Sequence, residues 1–164
     1  MLKNLRYNES VENSEGLLNI LFNTLKTNES SFEIIDRTNP IIVNYENKDY
    51  LIHISRIHSW EKRPNMRRIQ VKSNLKKSFS EHLTDNIIFA VLGYSEENDT
   101  FTSWNVKSIF SDYNSNKSLF TYDVYLYEAE ENGISHDLSI KQKSNKLNII
   151  NNYPITFRSK YLNE

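Results

Sequence analysis

The sequence predicts an α+β fold of roughly seven or eight short, mainly antiparallel strands forming a small β-barrel, with flanking helices at both ends. Three observations carry that expectation. Leu17, Leu18, Leu21, Phe22 and Leu25 recur at helical spacing. Beyond residue 31 the chain is mostly short β-branched stretches broken by turn residues. Only three Gly and three Pro occur in 164 residues, which leaves little material for long irregular connections.

The first helix has Ser10 or Ser14 as a candidate cap. FEII (32–35), PIIVNY (40–45) and DYLIHISRI (49–57) read as strands. In the third, Tyr50, Ile52 and Ile54 form the apolar side, and His53 and Ser55 the polar one. MRRIQVKS (66–73) inverts that parity, with Ile69 and Val71 inward and Arg68, Gln70 and Lys72 outward. These two strands are expected to pair around the loop HSWEKRPNM (58–66). NIIFAVLGY (86–94), apolar on both sides, reads as the buried central strand, with FTSWNVK (101–107) as its hairpin partner across the turn SEEND. SDYNSNKS (111–118) is a polar loop, and LFTYDVYLY (119–127) a strand or a strand running into a helix. Gly133 stands where a helix starting near Val124 would take its C-terminal cap. LNIINNY (147–153) is a last strand, and TFRSKYLNE a closing helix.

A chain of this length with 38% hydrophobic and 12% aromatic residues builds a real core, so residues 1–164 are read as a single domain. There is no cysteine, which excludes disulfides and thiolate metal sites. No apolar run approaches the ~20 residues of a membrane span, and the N-terminus lacks the apolar core of a signal peptide. The expectation is a soluble, cytoplasmic protein.

Charge is distributed unevenly. Residues 56–77, RIHSWEKRPNMRRIQVKSNLKK, hold eight of the twenty Lys and Arg and one of the twenty-one acids. That segment carries +7 and the remainder −8, an asymmetry that suits a face meeting a polyanion. Arg and Lys neutralise phosphates, and Arg, Asn and Gln pair two-pronged with base edges. The candidate DNA-binding residues are therefore Ser59, Trp60, Lys62, Arg63, Asn65, Arg67, Arg68, Gln70, Lys72, Lys76 and Lys77. Phosphate contact is assigned mainly to Lys62, Arg63, Lys72, Lys76 and Lys77. The second loop adds Ser111, Asp112, Tyr113, Asn114, Asn116 and Lys117, whose short polar side chains suit hydrogen bonding to bases.

Other chemistries are weaker. A degenerate restriction-type nuclease centre would use Asp49 with Lys72, but Gln70 stands where a second metal-binding carboxylate belongs. The four His show no metal-ligand spacing, and no phosphate-cradling glycine loop or nucleophile elbow occurs. No catalytic residue, metal or cofactor is assigned. A protein-interaction or RNA-binding module is the remaining rival, using the basic face on an acidic partner or on A-form helices.

The run YLIHISRIHSWEKRPNMRRIQVK, then NIIFAVLGY, an acidic turn and FTSWN, resembles recognition domains of bacterial restriction systems. It is similar to the N-terminal domains of McrB-like GTPase subunits, including those of LlaJI-type systems, and to B3-like specificity domains of restriction enzymes. The resemblance covers most of residues 45–130. It implies a B3-like pseudobarrel with two arms in the major groove, here Ser59–Arg68 and Ser111–Ser118. It further implies a non-catalytic fragment of a longer restriction subunit that acts with a C-terminal GTPase motor and a separate nuclease subunit. The long N-terminal helix departs from the minimal pseudobarrel. It leaves open a related reading, in which a modified base such as methylcytosine is flipped into an aromatic pocket.

Overall fold

The computed structural model describes residues 16–24, 32–36, 40–71, 73–82, 86–105, 117–136 and 154–162. Helix α1 (residues 16–24) comes first. Strands β1 (Phe32–Asp36), β2 (Ile41–Tyr45), β3 (Lys48–Arg56), β4 (His58–Trp60) and β5 (Arg63–Val71) come next. Then come α2 (Ser73–Glu81), β6 (Ile87–Ser95), β7 (Thr100–Trp104) and β8 (Lys117–Tyr122). Helix α3 (Asp123–Asn132), β9 (Ile134–His136), β10 (Ile155–Arg158) and a 3-10 turn at Ser159–Tyr161 complete it. The α+β class and the mainly antiparallel pairing are as the sequence predicts.

The strands form two sheets, one of seven strands in the order β1-β2-β3-β6-β7-β10-β9 and one of three in the order β4-β5-β8. Among the described residues they do not close into a barrel. The expected pairing of β3 with β5 is also corrected. β3 pairs antiparallel with β2 and parallel with β6. β5 pairs with β4 and β8. The reason is the side of β5 that carries Ile69 and Val71, 0% and 2% exposed. These side chains join Leu51, Val91 and Trp104 of the large sheet in one core cluster, so β5 lies over the face of β3 and not along its edge.

The large sheet is thus covered on both faces. On one, Leu17, Leu21 and Phe22 of α1 pack against Ile41, Val43, Ile52, Ile54, Leu92 and Phe101. On the other lie the small sheet and α2. This explains why β6 reads as a continuous apolar run. Helix α2 is not foreseen from the sequence: its segment is strongly polar, and its apolar residues Leu75 and Phe79, four positions apart, are buried in the core. Phe79 stacks on Phe89 at 5.1 Å.

Turns obey local chemistry. The two-residue connection between β2 and β3 has positive φ at both Glu46 (49°) and Asn47 (61°), the hairpin turn that matches strand twist. Gly133 caps α3 at φ 91°, its N–H donating to the Ala129 carbonyl at 2.8 Å. The expected closing helix is instead β10 and a 3-10 turn. Thr156 and Phe157 point to opposite faces of the large sheet beside β7: the Thr156 hydroxyl meets that of Thr102 at 2.8 Å, and Phe157 packs against Phe101 on the α1 side. The expected cap residues Ser10 and Ser14 and the strand at 147–153 lie outside the described residues.

Where the sheets meet, β6 carries Gly93. A Cβ there would lie 2.7 Å from the Trp104 ring and 2.8 Å from Ile57 Cγ1. Gly93→Ala is expected to lower stability by about 1–3 kcal/mol through overpacking, measured by denaturant unfolding. His53 lies on the Leu51 side of β3, with its Nε2 3.0 Å from Ser55 Oγ. Burial pushes its imidazole down to about 4 from 6.5. The fold therefore holds the ring neutral, while the unfolded chain takes up a proton below pH 6.5. Stability should fall by about 1.4 kcal/mol per pH unit as pH drops from 6.5 to 4. His53→Gln should flatten that part of the stability profile.

Candidate nucleic-acid interface

The basic stretch folds into the small sheet. β4 and β5 form a hairpin through a two-residue turn, Glu61–Lys62, with Trp60 opposite Arg63 and a register irregularity between Ser59 and Trp60. β8 adds on the other side of β5, placing Arg68 opposite Phe120 and Gln70 opposite Ser118. Alternation then sorts the side chains. Ile69, Val71, Leu119 and Thr121 point inward and are buried. Arg68, Gln70, Ser118 and Phe120 share the outer face with His58 and Trp60.

On that outer face the Trp60 and Phe120 rings meet at 5.2 Å. The Arg68 guanidinium lies over the Trp60 ring at 5.7 Å, and that of Arg63 at 6.0 Å. Arg68 also reaches the Ser118 hydroxyl at 3.4 Å. A guanidinium over an indole is attracted by the negative face of the ring, which restricts the long side chain while the group keeps donors to spare. Ser59, Lys62, Arg63, Asn65 and Gln70 are exposed, and Trp60 and Arg68 are partly exposed.

Arg67 has a different setting. It points toward α3 and the turn after β6, where its Nε donates to Asp123 and its Nη2 lies 3.7 Å from Glu97. The hydrogen bond to Asp123 raises its already high pKa further, so its charge is fixed. The turn is itself tied down. Arg56 pairs with Glu96 at 2.5 Å, Asn98 donates to Glu130 at 2.8 Å, and Asp99 accepts from Tyr94 at 2.9 Å and from Ser159 at 2.8 Å. Burial and the donation to Asp99 push the Tyr94 phenol up to about 12.

The remaining predicted residues are placed less fully. Lys77 is exposed on α2, and Lys76 belongs to the same helix. Lys117 opens β8. Lys72, Ser111, Asp112, Tyr113, Asn114 and Asn116 lie outside the described residues. Asp49, from the nuclease alternative, accepts from Asn44 Nδ2 at 2.7 Å in the large sheet, whereas Gln70 belongs to the small one. Among the described residues no group of three or more His, Asp or Glu side chains is arranged to hold a metal ion. Nor, among them, is any helix long and apolar enough to cross a membrane. Sequence reasoning misses His58 and Phe120. Phe120 alternates with buried Leu119 and Thr121, but only the pairing of β8 with β5 shows which face it joins.

The fold and this face define a two-sheet α+β domain that presents a cationic, aromatic platform on its smaller sheet. The chain belongs to the methylase-associated X1 family, which it matches over residues 48–164. That range runs from β3 to the end and includes the whole small sheet. No curated protein and no solved structure matches the chain.

The Arg67–Asp123 pair joins the hairpin to α3, and both side chains are about a quarter exposed. In a double-mutant cycle, Arg67→Ala and Asp123→Ala should be non-additive by about 1 kcal/mol in unfolding free energy. Strict additivity would show that the pair does not anchor the hairpin.

Proposed function

We propose that the chain is a sequence-specific double-stranded DNA-binding domain that targets a restriction system to its site. The observation that carries this reading is the pair of guanidinium groups, Arg63 and Arg68, resting on Trp60 beside exposed Lys62, Asn65 and Gln70. Arg held in this way suits two-pronged pairing with guanine in the major groove, and Asn or Gln suits adenine. Lys62 at the hairpin tip suits phosphate. The hairpin Ser59–Arg68 is then the first arm, with the loop 111–118 as the second. Membership in a methylase-associated family supports the reading, since a system that methylates DNA at chosen sites needs parts that recognise those sites.

Within this reading Arg67 holds the arm in place through Asp123 and leaves contact with bases to its neighbours. The partners are duplex DNA and, by the McrB-like resemblance, a GTPase motor and a separate nuclease subunit. The B3-like mode of entry belongs to the same proposal. The domain positions the complex, and cleavage is the work of another subunit.

Selection from a randomised duplex pool at near-physiological salt should retain a short motif. Arg68→Ala should relax the preference at one position of that motif, at ~1–3 kcal/mol of lost discrimination. Lys62→Ala should instead weaken all sequences alike and reduce the log–log salt slope by about 0.9. Uniform loss in both variants would exclude base reading by this arm. Binding without any enriched motif would reduce the face to a phosphate clamp.

A further inference from the structure

The apolar patch between the two rings offers a second kind of reading. Trp60 comes from β4 and Phe120 from β8, on either side of the strand that carries Arg68, and their ring centroids are 5.2 Å apart. Polar groups surround them: Arg68 lies over Trp60 at 5.7 Å and reaches Ser118 at 3.4 Å, with Gln70 opposite Ser118. Both rings are partly exposed. On the outer face of a charged platform, two mutually tilted rings beside an Arg side chain form a site with one apolar and one hydrogen-bonding half.

Within the duplex-binding reading, on which this rests, we infer that the Trp60–Phe120 pair seats the C5-methyl group of a pyrimidine next to a guanine contacted by Arg68. The methyl group is the apolar feature that a base edge presents in the major groove, and aromatic side chains are among its usual contacts. The base stays in the stack, because the two rings already meet each other and leave no slot for a whole base between them. The methyl group has two sources, thymine and 5-methylcytosine. Phe120 thereby becomes a specificity-determining residue, although it lies outside the basic segment.

The test uses the full chain and the duplex motif retained in selection. Each thymine is replaced in turn by uracil, and each cytosine by 5-methylcytosine, which removes or adds the methyl group alone. At one position affinity should change about fourfold, the worth of one buried methyl. A loss on uracil identifies thymine as the natural occupant, and a gain on methylcytosine identifies the methyl mark. Phe120→Ala should abolish that dependence while leaving the Arg68-dependent guanine preference in place. Because Phe120 also contributes packing, Trp60→Phe is measured beside it and should change the methyl dependence, with both variants checked for an unchanged melting transition. A motif with no methyl-sensitive position overturns the seat and leaves the DNA reading intact, as does a dependence that persists in Phe120→Ala. Absence of any retained motif overturns the DNA reading and the seat with it.

Discussion

Trp104 joins the two sheets, and the placement of the cationic, aromatic face depends on it. Its ring lies against Gly93 of β6, where even a methyl group would collide. Its indole N–H reaches across to donate to the Phe120 carbonyl of β8 at 3.0 Å. One side chain thus ties a central strand of the large sheet to an outer strand of the small one. Close to Gly93, the Ile57 N–H donates to the Tyr94 carbonyl at 2.9 Å, at the point where the chain leaves β3 for the hairpin. These two contacts set the small sheet over the large one. Its inner face is sealed by Ile69, Val71 and Leu119, and its outer face keeps the cations.

Electrostatics divide the basic segment into two roles. Arg56 and Arg67 turn back to the acidic turn and to α3, where Glu96, Glu97 and Asp123 meet them. Arg63 and Arg68 rest on Trp60. The acids that give the remainder of the chain its negative balance therefore help to brace the hairpin. An arm braced at its base loses less conformational freedom on binding, which favours affinity without adding contacts.

Much of the fold is legible in the sequence, for local reasons. Alternation in 66–71 and the helical spacing of 17–22 identify inward-facing residues directly, and Gly133 marks the end of α3 through its need for positive φ. Pairing is less legible. Two adjacent strands with complementary parity, β3 and β5, read as a hairpin, but the two-residue turn at 61–62 closes β4 on β5 and sends β3 into a parallel pair with β6. Period-two patterning says which side of a strand is buried and not whether its cover is a neighbouring strand or another sheet. The same gap hides Phe120, whose partners come from residues about fifty positions earlier. Helix α2 escapes because a segment whose apolar residues are Leu75 and Phe79 gives little periodic signal.

If the outer face of the small sheet meets DNA, as proposed, the inter-sheet contact should remain undisturbed on binding. The chain contains two tryptophans, one at each place. Incorporating 5-fluorotryptophan gives two fluorine resonances, assigned with a Trp60→Phe variant, and duplex DNA carrying the retained motif is then titrated in. The Trp60 resonance should shift on binding, and the Trp104 resonance should stay in place. A Trp60 resonance unmoved at saturating DNA, or a shift confined to Trp104, would contradict DNA contact through this face.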